Sequence, residues 1–280
     1  MKPRVGHIQF LNCLPLYYGL VKSHALLDIE LIKGTPTELN GLLINGHLDI
    51  SPISSIEYAR HSESLILFPD FTVSSDDKVK SILLLSRFPL EELGGKRVAL
   101  TSTSATSQVL VKLILGRGYG VEPEYTTCRP DLDDMLSAAD AALLIGDIAL
   151  KHYVDTKDFY LYDLGAEWKK LTGKKMVYAV WAVSLSFAEK QAETMEYIFD
   201  IFKKSMDYSK QHLAEIAEYA ARWESFSSSF LTDYFNTLRF DFGKEYQEGL
   251  LLFYKLASEI GELETAPDLR FTNLRSGARA

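Results

Sequence analysis

Six hydroxyl side chains crowd into seven residues of this chain: Thr101, Ser102, Thr103, Ser104, Thr106 and Ser107, interrupted only by Ala105. They follow the strand-like run 97–100 and precede an apolar helical stretch. One or two hydroxyls at such a junction satisfy the first orphan N–H groups of a helix. Six exceed that need. Short alcohols, backbone donors and the positive end of a helix dipole together suit a carboxylate or a phosphate. The Gly-x4-Gly-Lys spacing of a P-loop is missing, so no nucleotide is inferred.

Similar groups recur where other apolar runs end. Asn12 follows the run 4–10, and Pro15 then opens a helix. Its carboxamide donates and accepts hydrogen bonds but is not a useful base. Ser54 and Ser55 follow 47–53, Ser86 ends 78–86, and Gly146 and Asp147 follow 140–145. Each also has a purely structural reading: Ser54, Ser55 and Asp147 can be helix N-caps, and His7, in mid-strand, a buried structural histidine. No Ser-His-Asp order, nucleophile elbow or carboxylate–histidine metal spacing is present. By themselves these residues point to an anion-binding cleft and leave the reaction open.

The elements that must position them alternate. Strand-like runs at 4–10, 27–34 and 47–53 are each followed by a helical pattern, as in a parallel sheet with crossover helices. The pattern restarts near Gly94, with further strands at 97–100, 140–145 and 157–165. Strong strands at 78–86 and 176–184 flank this second unit, and long amphipathic helices follow from Phe187. The expectation is an α/β protein of two lobes joined by a double crossover: lobe 1 from residues 1–85 and 179–280, lobe 2 inserted as 86–178. The C-terminal helices would return to pack on lobe 1, and the residues from Ala266 would form a loosely held tail. Ligands of such a fold bind between the lobes, at the carboxyl ends of the strands.

Composition sets outer limits. The chain has 280 residues, 47% of them hydrophobic, enough for two α/β lobes with real cores. A net charge of −8 argues against a nucleic-acid surface, although a small anion can still be held locally. Cys13 and Cys128 form no CxxC pair, and two reduced thiols are expected. No signal peptide and no apolar stretch of the ~18–20 residues needed to span a bilayer is read, so a cytoplasmic protein without a membrane partner is expected.

Five segments share a more specific pattern: "GHIQFLNCLPLYYGL", "GHLDISPISSIEYAR", "VALTSTSATSQVL", "AALLIGDIAL" and "DLGAEWKKLTGKKMVYAVWA". In this order, from about residue 4 to 184, they resemble the chorismate dehydratases of the futalosine route to menaquinone. The resemblance implies the type II periplasmic-binding-protein fold and a lyase that converts chorismate to 3-[(1-carboxyvinyl)oxy]benzoate and water. It implies no metal or redox cofactor, and a small-molecule substrate as partner. Asn12 would then hydrogen-bond near the departing hydroxyl or a carboxylate. Ser55, Ser86, Ser104, Thr106 and Ser107 would grip carboxylates, and Gly146 and Asp147 would orient the ring or a water. His7, Asp147 or the enolpyruvyl carboxylate of the substrate would take the ring proton; the last is favoured, because no protein base stands out. The competing expectations are a dihydroxynaphthoate synthase-like enzyme of the same pathway and a non-enzymatic small-anion-binding protein. A solute-binding protein would need an export signal, and a sensing regulator would need a helix-turn-helix, for which no segment is spare.

Overall fold

Alternating strand and helix patterns in the first 60 residues become β1 (Arg4–Ile8), α1 (Leu14–Lys22), β2 (Glu30–Gly34), α2 (Pro36–Ile44), β3 (Ile50–Ser54) and α3 (Ser55–Arg60). The computed structural model describes residues 2–155 and 158–274. Pro15 and Pro36 sit in the first turns of α1 and α2, and Thr35 closes a capping box with Glu38. Next comes β4 (Leu65–Ser75), a strand the sequence reading passed over. The second series is β5 (Ile82–Ser86), β6 (Arg97–Thr101), α4 (Ala105–Leu113), β7 (Glu124–Cys128), α5 (Leu132–Ala138), β8 (Ala141–Ile145), α6 (Gly146–Asp155), β9 (Tyr160–Asp163) and α7 (Leu164–Thr172). The chain then runs through β10 (Met176–Ser184) into α8 (Leu185–Lys190), α9 (Ala192–Gln211), α10 (Leu213–Ala220), α11 (Ser228–Thr237) and α12 (Lys244–Glu259).

The strands form two five-stranded sheets, ordered β2-β1-β3-β10-β4 and β7-β6-β8-β5-β9. Both orders follow one scheme: second, first and third strands of a parallel series, then a strand running the opposite way, then a last strand. The reversed strands are β10 and β5, each antiparallel to both neighbours. β8 and β5 are buried at every residue and β10 at all but its last, since helices cover both faces of a sheet of this kind. Trp181 in β10 and Trp168 in α7 are fully buried.

Sheet membership corrects two expected boundaries. β5 pairs with β8 and β9, so the first crossing is the connection 76–81 rather than residue 86. All of β10 pairs with β3 and β4, so the return crossing precedes Met176. Asp163 fastens these connections. Its buried carboxylate caps α7 through the N–H groups of Gly165 and Ala166, and accepts from Val79 (3.0 Å) and Lys80 (2.7 Å) in the first crossing. Burial pushes this carboxyl above the usual range, while the four backbone donors pull it down.

The C-terminal helices do more than return to the first lobe. α9 packs on α1 there. α12 instead lies against both: the Tyr254 hydroxyl donates to Ser55 O (2.7 Å), and Phe253 meets Trp168 edge-on at 6.0 Å. Lys112 and Arg117 of the second lobe pair with Glu262 and Glu259. The segment expected to hang loose is also docked as far as it is described. Leu67 N–H donates to Arg270 O (2.8 Å), Thr272 N–H to Leu67 O (2.8 Å), and Arg270 N–H to the Tyr58 hydroxyl (2.9 Å). Residues 275–280 lie outside the described residues.

Candidate functional site

Between the two sheets lies a narrow cleft of about 40 Å³. Parallel strands deliver β1, β3 and β8 to it by their carboxyl ends, at Ile8, Ser54 and Ile145. The reversed strands deliver their amino ends, so Ser81 and Ile82 of the β5 side and Tyr178 and Ala179 of β10 line it. This direction removes Ser86 from the site. It pairs with Ala141, at the opposite end of β8 from the cleft, and its hydroxyl donates to Phe88 O (2.7 Å). The serine that reaches the cleft from this segment is Ser81.

Asn12 lines the cleft from a single 3-10 turn, Leu11–Cys13, between β1 and α1. Its Oδ1 is buried without a protein partner among the described residues. A buried carboxamide oxygen in that state costs about 1–3 kcal/mol unless something else satisfies it. Opposite, Ser104 caps α4 by accepting from Ser107 N–H (3.3 Å), and the two hydroxyls touch at 2.9 Å. Both line the cleft. The N–H groups of Ala105 and Thr106 have no acceptor within the helix. Pro36 brings the start of α2 to the same space, and Gly146 the start of α6. Several helix N-termini therefore converge on one small volume.

Ser55 and Thr106 are turned away from it. Their hydroxyls bond each other at 3.2 Å, Ser55 Oγ donates to Val177 O (2.8 Å), and Ile56 N–H donates to Thr106 Oγ1 (3.2 Å). Neither lines the cleft; they tie α3 of one lobe to α4 of the other, with Thr106 satisfying a first-turn N–H of α3. A second tie crosses the cleft mouth, where Thr37 Oγ1 donates to Ser102 O (2.9 Å). Thr101 and Thr103 pair with each other at 2.7 Å. The hydroxyl cluster thus divides into cleft wall, interlobe ties and local turn.

Gly146 and Asp147 form a third tie. Gly146 has φ +65°, and a Cβ built there meets the Phe10 ring at 3.0 Å, so glycine serves both the backbone and the close approach of the lobes. The Asp147 carboxylate does not line the cleft. It accepts from Leu11 N–H (3.0 Å) and borders a neighbouring pocket of about 280 Å³ with His7, Trp223 and Glu224. Burial pushes Asp147 up to about 6, against the pull of the Leu11 N–H, with Glu224 adding to the rise. Burial and Lys33 push His7 down to about 4, and its ring meets Tyr17 edge-on at 3.8 Å. Neither expected protein base faces the cleft.

Among the described residues the cleft wall carries no Lys, Arg, His, Asp or Glu. The Tyr178 phenol, also in the wall, is pushed well above its usual range by burial and bonded to Ser75 Oγ at 2.9 Å. Among the described residues no cluster of three His, Cys, Asp or Glu side chains could hold a metal, both cysteines are free, and no helix is long and apolar enough to cross a membrane. Sequence reasoning missed Phe10, Ser81 and Tyr178. A strand assigned its direction would have indicated the last two.

Solved structures of similar fold include a protein of Archaeoglobus fulgidus (TM-score 0.75, 17% identity, 94% of this chain and 98% of that one). The periplasmic aliphatic sulphonate binding protein SsuA of Escherichia coli is also similar (TM-score 0.68, 14% identity, 97% of each chain). The fold is therefore that of the periplasmic binding proteins. In sequence, the chorismate dehydratase of Thermus thermophilus is 31% identical over 258 residues, covering 86% of this chain and 92% of that one. The chorismate dehydratase of Campylobacter jejuni is 29% identical over 178 residues, covering 62% and 64%. A family model described as menaquinone biosynthesis matches residues 3–259. By that match over most of its length, and by its 31% identity to the Thermus thermophilus protein, the chain belongs to the menaquinone biosynthesis family.

Proposed function

We propose that this chain is a chorismate dehydratase acting in menaquinone biosynthesis. The carrying observation is a cleft walled by small alcohols, a carboxamide and helix N-termini, with no charged side chain among the described residues. Chorismate brings two carboxylates. Helix N-termini hold anions at about 0.3–1 kcal/mol each, more when partly buried. Ser104 and Ser107 of α4 would grip one carboxylate, with Ser54 and Ser81 as further donors. Asn12 would hydrogen-bond the ring hydroxyl that leaves.

The reaction breaks the C–O bond to that hydroxyl and the C–H bond on the adjacent ring carbon, which bears the enolpyruvyl ether. The C–H electron pair enters the ring, hydroxide and proton leave as water, and aromaticity drives the step. With His7 and Asp147 bordering another pocket, the base is the substrate's own enolpyruvyl carboxylate. The protein's part is to hold that carboxylate over the ring proton and to exclude water. Two free cysteines and a biosynthetic family support a cytoplasmic setting.

Incubating the protein with chorismate and following products by mass and ultraviolet absorbance tests this. The expected product is aromatic and one water lighter. Chorismate bound but unchanged would make the chain a binding protein; chorismate neither bound nor consumed would end the proposal. In the same assay the double variant Ser104→Ala/Ser107→Ala should raise KM by roughly 100-fold or more, for two lost hydrogen bonds to a charged group at about 1.5–3 kcal/mol each, and change kcat less. It should also lose about 1 kcal/mol of stability, because Ser104 caps α4.

A further inference from the structure

The geometry points to Asp147 as a positioning residue, which ties closure of the lobes to the placement of the Asn12 turn. This rests on the proposed dehydratase reading and adds a residue to it that touches no substrate.

Three observations carry it. The carboxylate of Asp147, at the start of α6 in one lobe, accepts the N–H of Leu11 in the other (3.0 Å). Leu11 opens the single 3-10 turn whose next residue is Asn12. Side by side with this bond, the Phe10 ring rests on Gly146 so closely that a built Cβ stands 3.0 Å from it. Residues 10 and 11 thus dock as a pair on residues 146 and 147. A 3-10 turn of three residues has few bonds of its own, and its Phe10 cap carries no side-chain bond. Its alignment is therefore set by what it docks on. Only when the lobes meet does Leu11 N–H find the carboxylate, so the carboxamide of Asn12 takes its working position on closure.

Charge around Asp147 gives the tie a pH dependence. His7 of β1 and Glu224, beyond α10, border the same pocket; Lys151 lies one turn along α6. The Cys13 thiol on the Asn12 turn and the Tyr234 phenol of α11 are also close enough to interact. With burial and Glu224 pushing Asp147 up to about 6, the carboxylate gains its proton as pH falls through that value. A neutral carboxyl accepts more weakly than a carboxylate, so kcat should fall on the acid side of about pH 6.

The test compares wild type, Asp147→Ala and Asp147→Asn with chorismate across pH. Asp147→Ala should lower kcat by about 10- to 100-fold at pH 8 with KM changed less than about threefold, as a misplaced catalytic group does. Asp147→Asn keeps an acceptor for Leu11 N–H and cannot titrate. Its acceptor is neutral, like the protonated carboxyl, so it should give a kcat between those of wild type and Asp147→Ala at pH 8, near that of wild type below pH 6, and lose the acid limb. Amide exchange at Leu11 should be faster in Asp147→Ala than in Asp147→Asn, a readout independent of the substrate. A changed KM with wild-type kcat in Asp147→Ala would make Asp147 a substrate-holding residue and overturn the inference. An acid limb persisting in Asp147→Asn would overturn it even if Asp147→Ala does not fold. Wild-type protein inert toward chorismate, with Leu11 exchange responding as described, would fail the dehydratase reading and leave the tie standing.

Discussion

Asn12→Ala is expected to reduce kcat for chorismate by about 10²- to 10³-fold, the usual cost of removing one preorganised donor from a developing negative charge. Loss of hydroxide from a ring carbon places charge on the departing oxygen, and among the described residues no cationic side chain stands in the cleft wall to meet it. That leaves the carboxamide as the strongest neutral donor on its turn. The substitution should cost the fold little. Asn12 Oδ1 has no protein partner among the described residues, so its removal deletes an unsatisfied buried atom rather than a bond. A melting temperature within about 2 °C of wild type is expected. Asn12→Asp is the sharper control, because its shape is retained while a carboxylate is placed against a dianion. It should bind chorismate more weakly as well as turn it over slowly. Wild-type kcat in Asn12→Ala would remove Asn12 from the chemistry.

Asp163→Ala is expected to lower stability by about 3 kcal/mol or more, measured by denaturant unfolding. The carboxylate accepts from Val79, Lys80, Gly165 and Ala166, and it is 7% exposed. Truncation strands those N–H groups, at about 1–3 kcal/mol for each one left unsatisfied, less whatever water recovers. The connection it holds is already strained: Lys80 has φ +63°, a left-handed conformation that lysine rarely adopts. Asp163→Asn keeps one acceptor oxygen but turns an NH2 toward N–H donors, so an intermediate loss is expected. Because the staple joins the crossing to α7, the alanine variant should also broaden the unfolding transition. A loss below about 1 kcal/mol would mean that water replaces the carboxylate without strain.

How much of this was legible depended on whether the physics was local. The alternation of strands and helices, the two series and the helix-rich C-terminus follow from periodicity, and the sheets bear them out. β4 was not legible: Pro69 and Asp70 break its pattern, Asp70 has φ +71°, and the strand pairs with β10 through shifts in register. Ser86 was misplaced because strand propensity carries no direction, and the rule about carboxyl ends holds only for the parallel strands. Thr106 and Ser107 are neighbours in sequence but about 100° apart around α4, so one serves the lobe junction and the other the cleft. Asp147 looked like a cap by its position. Its partner is 136 residues away, and no local pattern encodes that.

One helix determines how the two halves can move. α12 touches Ser55 through Tyr254 and Trp168 through Phe253, so it rides on both bodies beside their junction. Hinged motion must pivot around this strut or slide along it, and cannot simply flex the two thin connections. The stiffness of the molecule is therefore lodged in a segment that contributes no side chain to the cleft wall. Substitutions along its inner stripe would retune the opening frequency, and with it product escape, while every group around the substrate stays in place.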